Sequence, residues 1–377
     1  VGYSCVIEET LNADNVSLGY VKYHYTNYDK DIYGQTHLDE PAWYYSGITE
    51  LNSTSPYTSR SMERGKLLSE EHFDRYNKLK KKITYHYTKT DSSYLITGHQ
   101  IPLFLENNSC PDLAIGYLTK TYLYSYLTDT ITETLYTDLE NVAIEKIQTM
   151  EYTARKLLKK TTTATSQGNL RTVEYEYNSD NPSYQWPGLK HILNLLTKKT
   201  TTENNQKRQE EYGYGYGEKC IPYLSEVTTT INNDPSQTTY KVKSAGYNGK
   251  PVEIEEQGVT SLLLWGYGGQ RIIAKIVNAS LERLYELPGF GSFDYEDNWE
   301  SAYAKIESIR QQLPSSQFFV YTYDNRLKLQ SIANPNGVTE FFNYDFLGRL
   351  IERYYTERTE NGWQKRLLNR YDYNYSL

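Results

Sequence analysis

Aromatic residues recur at alternate positions along almost the whole of this chain, and no other feature limits its fold so strongly. Tyr23/Tyr25, Tyr85/Tyr87, Tyr122/Tyr124/Tyr126, Tyr175/Tyr177, Tyr212/Tyr214/Tyr216, Trp265/Tyr267, Tyr321/Tyr323, Phe342/Tyr344 and Tyr371/Tyr373/Tyr375 all place rings at i and i+2. A side chain returns to the same face every second residue in a strand, so these segments read as strands rather than helices. Forty tyrosines against nine phenylalanines and five tryptophans fit that reading. A tyrosine ring packs on its cross-strand neighbours while the hydroxyl reaches water or a polar partner. With a mean hydropathy of −0.73, a thick aliphatic core is not expected. A thin, extensive sheet held by tyrosine ladders is.

Runs of Thr, Lys and Glu flank the doublets, and turn residues part them. Segments 67–73 and 79–88 around 74–78 form one hairpin, 157–165 and 170–177 around 166–169 a second, and 225–231 and 237–243 around 232–236 a third. Hairpin follows hairpin, which predicts an all-β chain: a long antiparallel β-hairpin meander that curves or spirals, since twisted sheets of more than ~10 strands rarely stay flat. Two stretches interrupt it. Residues 27–56, with Asp29, Asp31, Asp39, Glu40 and Pro41, read as a polar surface loop. Residues 279–313 carry the helical spacing Trp299, Ala302, Tyr303, Ile306, Ile309, Leu313 ahead of Pro314, and a helix there is expected to lie on one sheet face. The chain thus divides into a strip at 1–278, a helical insertion at 279–313 and hairpins at 314–377.

A net charge of −7 and a pI near 5.6 argue against a nucleic-acid binder that gains affinity by neutralising phosphates. The basic run at 78–82 and the pair Lys159-Lys160 read as solvated strand and turn residues. Cys5, Cys110 and Cys220 are widely spaced, so no disulfide framework is expected and at least one thiol stays free. No apolar run approaches the ~20 residues of a membrane span. Residues 1–11 show no export signal and open as though already in a strand, so the chain is expected to be a piece of a longer protein.

Chemistry-bearing patterns are sparse. The six histidines, His24, His37, His72, His86, His99 and His191, have no HxH or HxxxH spacing, so no metal is expected. The acidic residues around Asp29 and Asp31 supply only part of a calcium-loop pattern. Cys110 sits in no recognised nucleophile motif, and the alternating Gly213, Gly215 and Gly217 read as strand glycines rather than a phosphate loop. No catalytic residue and no cofactor is expected. If the protein binds a ligand instead, Trp265, Tyr267, Tyr212, Tyr214 and Tyr216 are the rings that could stack on a carbohydrate such as a surface glycan.

The most informative stretch is 318–350. Two aromatic strands each close on a Tyr-Asp pair, Tyr323-Asp324 and Tyr344-Asp345, around the turn Asn334-Pro335-Asn336-Gly337. Gly348 can take the positive φ of a tight turn, and an aspartate before such a turn caps backbone N–H groups. Tyr344-Asp345-Phe346-Leu347-Gly348-Arg349-Leu350 resembles the YD-x-x-GRL core of the Rhs/YD-repeat family. The 334–339 turn resembles the DPxGVT turn that precedes that core, and 264–279 resembles the LWGYxGQ and IxNA segments of large Bacteroidetes-type members. The resemblance implies a strip that forms part of a hollow shell or surface scaffold, in a secreted or surface protein serving encapsulation, contact or adhesion. It also implies that partners are the rest of a longer polypeptide or an enclosed cargo. Its motif residues here are Tyr323, Asp324, Gly337, Tyr344, Asp345, Gly348 and Arg349. The self-cleavage motif and toxin domain of some members are not seen in this sequence.

Overall fold

The computed structural model describes residues 2–12, 14–44 except 42, 57–90, 94–102, 114–137, 143–166, 168–180, 192, 194–217, 222–246, 249–288, 299–359 and 362–373; for 41, 43–44, 57, 99–102, 114–117, 299–300, 358–359 and 363 the backbone alone. Cys110, Cys220 and His191 lie outside these residues; Cys5 is exposed and free. Two compact units are present, Val1–Glu176 with Lys199–Lys207, and Tyr177–Lys198 with Arg208–Leu377.

In the first unit the strands are β1 (Cys5–Leu11), β2 (Ser17–Tyr25), β3 (Glu40–Pro41), β4 (Trp43–Tyr44), β5 (Tyr57–Thr58), β6 (Leu67–Asp74), β7 (Leu79–Lys89), β8 (Tyr94–Pro102), β9 (Ala114–Tyr122), β10 (Tyr126–Tyr136), β11 (Ala143–Tyr152), β12 (Leu158–Thr165) and β13 (Leu170–Tyr177). Antiparallel pairing runs β1, β2, β6, β7, β10, β11, β12, β13. The insertions between β2 and β6 and between β7 and β10 leave the sheet at one end, where β3 pairs with β5 and β9 pairs with both β4 and β8. The stretch expected to be a surface loop therefore carries strands and the buried His37, 3 % exposed.

Gly19 marks a close approach in this unit. Its φ is +138°, and an added Cβ would sit 2.4 Å from the Phe73 carbonyl oxygen on β6, a backbone atom that cannot swing aside. Gly19→Ala is expected to lower unfolding free energy by roughly 2 kcal/mol, read as a lower denaturant midpoint at unchanged slope.

β14 (Leu196–Glu203) spans the division. The second unit continues with β15 (Gln206–Tyr216), β16 (Pro222–Ile231), β17 (Gln237–Ala245), β18 (Pro251–Glu256), β19 (Val259–Gly266), β20 (Arg271–Val277), α1 (Leu281–Tyr285), α2 (Trp299–Gln312), β21 (Gln317–Tyr323), β22 (Leu329–Ala333), β23 (Thr339–Tyr344), β24 (Leu350–Thr359) and β25 (Gly362–Arg370). From β15 to β25 each strand pairs antiparallel with the next. The fold is the expected all-β hairpin meander, with its helical interruption between β20 and β21.

One part departs from the thin-sheet expectation. Leu262, Leu264, Ile273, Ile276 and Phe318 on β19 to β21 pack with Leu284, Ala302, Ile306, Ile309 and Leu313 of the helices into an aliphatic core. The reason is local composition: β19 and β20 read VTSLLLWG and RIIAKIV, and runs so apolar must be covered. Elsewhere burial falls largely on small side chains such as Thr26, Ser69 and Thr161.

Candidate functional site

One five-residue turn recurs through the described residues. At Asp74 the backbone amide donates to the Lys78 carbonyl at 3.0 Å, and the Asn77 amide returns to the Asp74 carbonyl at 3.0 Å. Asp74 Oδ1 accepts from the amides of Tyr76 and Lys78 at 2.9 and 3.0 Å, while Asn77 takes a φ of +60°. Asn12, Asp31 and Asp324 repeat all of this. Asp345 keeps both backbone bonds, and its Oδ1 accepts from the Arg349 amide at 2.8 Å. The same backbone frame recurs at Thr153, Thr165, Gly246 and Asn334. This is a type I turn followed by a left-handed residue, which returns the chain into a hairpin. Gly337 and Gly348 hold that left-handed place with φ of +83° and +85°. Desolvation opposes ionisation of Asp345, but donation from the Arg349 backbone and guanidinium outweighs it and lowers the carboxyl below the usual range.

The tyrosines before Asp324 and Asp345 act on the neighbouring hairpin. The β22–β23 ladder ends at Ser331↔Phe341, so Leu329, two residues further out, has no rung on that side. Tyr344 supplies it, its hydroxyl donating to the Leu329 carbonyl at 2.9 Å. Tyr323 does the same for Ile272 at 2.9 Å, two residues beyond the last β20–β21 pair. Tyr373 does so for Leu350 at 2.8 Å, beyond the last β24–β25 pair. In the first unit Tyr87 serves Leu67 at 2.8 Å and Tyr152 serves Thr128 at 2.6 Å, each again two residues past the ladder's end. Trp265 Nε1 takes the role toward Pro251 at 2.7 Å. An aromatic donor thus replaces the missing rung where a twisted hairpin end would leave a carbonyl unpaired. Burial pushes the hydroxyls of Tyr87, Tyr152, Tyr323 and Tyr344 above the ordinary tyrosine range, which keeps them protonated donors.

A cation completes the joint. Lys328, just before Leu329, lies 5.2 Å from the Tyr344 ring centre; Arg349, just before Leu350, lies 4.1 Å from that of Tyr373; Lys250, just before Pro251, lies 4.8 Å from that of Trp265. Such contacts contribute about 0.5–1 kcal/mol each at exposed sites. Arg349 also grips Asp345 Oδ2 through Nε at 2.7 Å and a terminal nitrogen at 2.6 Å. Gly348 leaves room for Lys328, whose Nζ would lie 1.7 Å from an added Cβ.

The stacking candidates are placed differently from one another. Trp265 is engaged through its N–H and one face, as above. Tyr267 packs on the aliphatic core and meets the Tyr323 ring edge-on at 5.4 Å. Tyr214 donates to the Leu196 carbonyl at 2.8 Å, and Tyr212 to Glu210 at 3.4 Å. Tyr216 is half-buried. They do not assemble into one exposed row.

A second site, not legible in the sequence, lies in the first unit where the insertions meet. Glu63 is 2 % exposed; its Oε2 faces His37 Nδ1 at 2.9 Å, and Oε1 takes Lys89 Nζ at 2.8 Å and the Tyr124 hydroxyl. His37 Nε2 faces Asp31 Oδ2 at 3.4 Å. Burial disfavours the Glu63 charge, yet donation from Lys89, Tyr124 and His37 outweighs it and holds the carboxyl at about 2. The acidic residues considered for calcium each have other partners: Asp29 accepts from Ser4 at 2.6 Å, Asp31 caps its turn, Asp39 pairs with Arg64 at 2.7 Å and Glu40 with Arg60 and Lys120. Among the described residues no three His, Cys, Asp or Glu side chains are grouped to hold a metal ion.

No protein-family model matches the chain, and no curated protein does. Solved structures with some likeness include TcdB2-TccC3-Cdc42, 9 % identical with a TM-score of 0.36 over 96 % of this chain and 21 % of that one. Others are the Photorhabdus luminescens Tc holotoxin pore (10 %, 0.27, 94 % and 20 %) and a porin-like protein from Bacteroides uniformis (11 %, 0.25, 97 % and 97 %). The chain spans about a fifth of the length of the first two. Likeness at this level assigns neither family nor function.

Proposed function

We propose that the chain is a non-catalytic structural β-strip, part of a shell or surface scaffold in a larger protein of the Rhs/YD-repeat kind, serving encapsulation, contact or adhesion outside the cell or at its surface. One observation carries this reading: the polar groups of its motif are spent on the sheet itself. The hydroxyls of Tyr323, Tyr344 and Tyr373 complete the ladders, and Asp324 and Asp345 close the turns. Groups so committed are poor acids, bases or nucleophiles, and the reading includes no enzymatic activity. A carbohydrate platform is less supported, because Trp265, Tyr267 and Tyr214 are held by protein partners. Small-angle scattering of the purified chain tests the proposal. A curved or hollow strip is expected; a compact solid particle would contradict it, and turnover of a glycan by the purified chain would contradict the non-catalytic part.

A further inference from the structure

Many of the charged side chains in this acidic protein are paired across strands, as Lys365 is with Glu352 and Arg366 with Glu357. One rim of the second unit is different. Arg271, Arg326 and Lys328 meet no carboxylate among the described residues. Each instead reaches toward the next turn: Arg271 Nε to the Leu327 carbonyl at 3.3 Å, Arg326 to the Phe346 carbonyl at 3.3 Å, and Lys328 over Gly348. The nearby carboxylates are already engaged, Asp324 with its own turn amides and Asp345 with Arg349. At the end of this line stand Phe346 and Leu347, 82 % and 60 % exposed. An apolar pair at the tip of a hairpin, with cations at its neck, is the pattern of a surface that enters the headgroup region of a bilayer.

We propose that this rim is a peripheral membrane contact for bilayers bearing anionic lipid: Phe346 and Leu347 enter the interface, and Arg271, Arg326 and Lys328 engage the headgroups. The chain as a whole carries a net charge of −7, so attraction to an anionic leaflet must come from local cations such as those of this rim. The contact is superficial; among the described residues no helix is long and apolar enough to cross a membrane. The inference stands apart from the scaffold reading, for it rests only on the chemistry of the rim.

Vesicle sedimentation of the full chain tests it, with phosphatidylcholine alone and with phosphatidylcholine mixed with phosphatidylserine. The chain is expected to pellet with the mixed vesicles, little with the neutral ones, and to be released by salt. Arg326→Gln with Lys328→Gln should lower the partition about 30-fold, and Phe346→Ser with Leu347→Ser should lower it comparably while leaving the thermal midpoint unchanged. No pelleting with anionic vesicles, or pelleting that survives both double substitutions, overturns the proposal. So does retention on a soluble polyanion, such as heparin, that needs the cations but not the apolar tip and comes without vesicle binding.

Discussion

Replacing Glu63 by alanine is expected to destabilise the first unit by on the order of 3–5 kcal/mol, the cost of breaking a buried ionic network from one side. His37 and Tyr124 are 3 % and 5 % exposed, so each would keep a polar group that water cannot readily reach. The backbone tie from Thr26 Oγ1 to the carbonyl of residue 63, at 2.7 Å, is kept by the substitution, so the loss reads the side-chain network alone. Denaturant unfolding of the variant checks this, and a change below about 1 kcal/mol would mean that the cluster relaxes freely. An acid limb follows from the same carboxyl. Its folded value, about 2, lies below its ordinary 4.5, so its contribution is whole above about pH 4.5 and is lost as pH falls through 2. Between those values the stability of the wild type should fall more steeply than that of Glu63→Gln.

Ile306→Ala in α2 is expected to cost about 2–4 kcal/mol. Ile306 is 1 % exposed and lies in the cluster with Leu262, Ile273, Ile276 and Leu313, so truncation leaves a cavity beneath a helix that the strands cannot close. The denaturant midpoint should drop at constant slope, whereas Tyr76→Ala, at a turn tip 73 % exposed, should leave it nearly unchanged. A small effect at Ile306 would mean that the helix is not held by this core.

Much of the fold was legible because strand and turn signals are local. The period-two rings mark the strands, and the pairs Tyr323-Asp324 and Tyr344-Asp345 mark hairpin ends; the three-and-four spacing from Trp299 to Leu313 marks α2. Asn12 and Asp31 head the same turn without a Tyr-Asp pair, and their readable signal is Asn or Asp followed three residues later by Asn or Gly. What was not legible depends on register. Tyr344 serves Leu329, fifteen residues back, and that carbonyl needs a partner only because the ladder stops at Ser331. The Glu63 cluster gathers Asp31, His37, Lys89 and Tyr124 from separate stretches, joined by strand pairing that no short pattern encodes. The partners of Trp265 were not legible for the same reason: its N–H meets the Pro251 carbonyl and one ring face meets Lys250, both from a neighbouring strand's end.

The hydroxyls of Tyr87, Tyr152, Tyr323, Tyr344 and Tyr373 extend the ladders past the hairpin ends and so join neighbouring hairpins. Hydrogen exchange of Tyr344→Phe tests this most directly, because the substitution keeps the ring and removes only the donor. Amides in 324–329 and 345–350 should exchange faster together, by the ~1 kcal/mol of one lost hydrogen bond, whereas Asp345→Asn should affect 345–350 alone. Unchanged exchange in 324–329 of Tyr344→Phe would mean that the hydroxyl does not join the two hairpins.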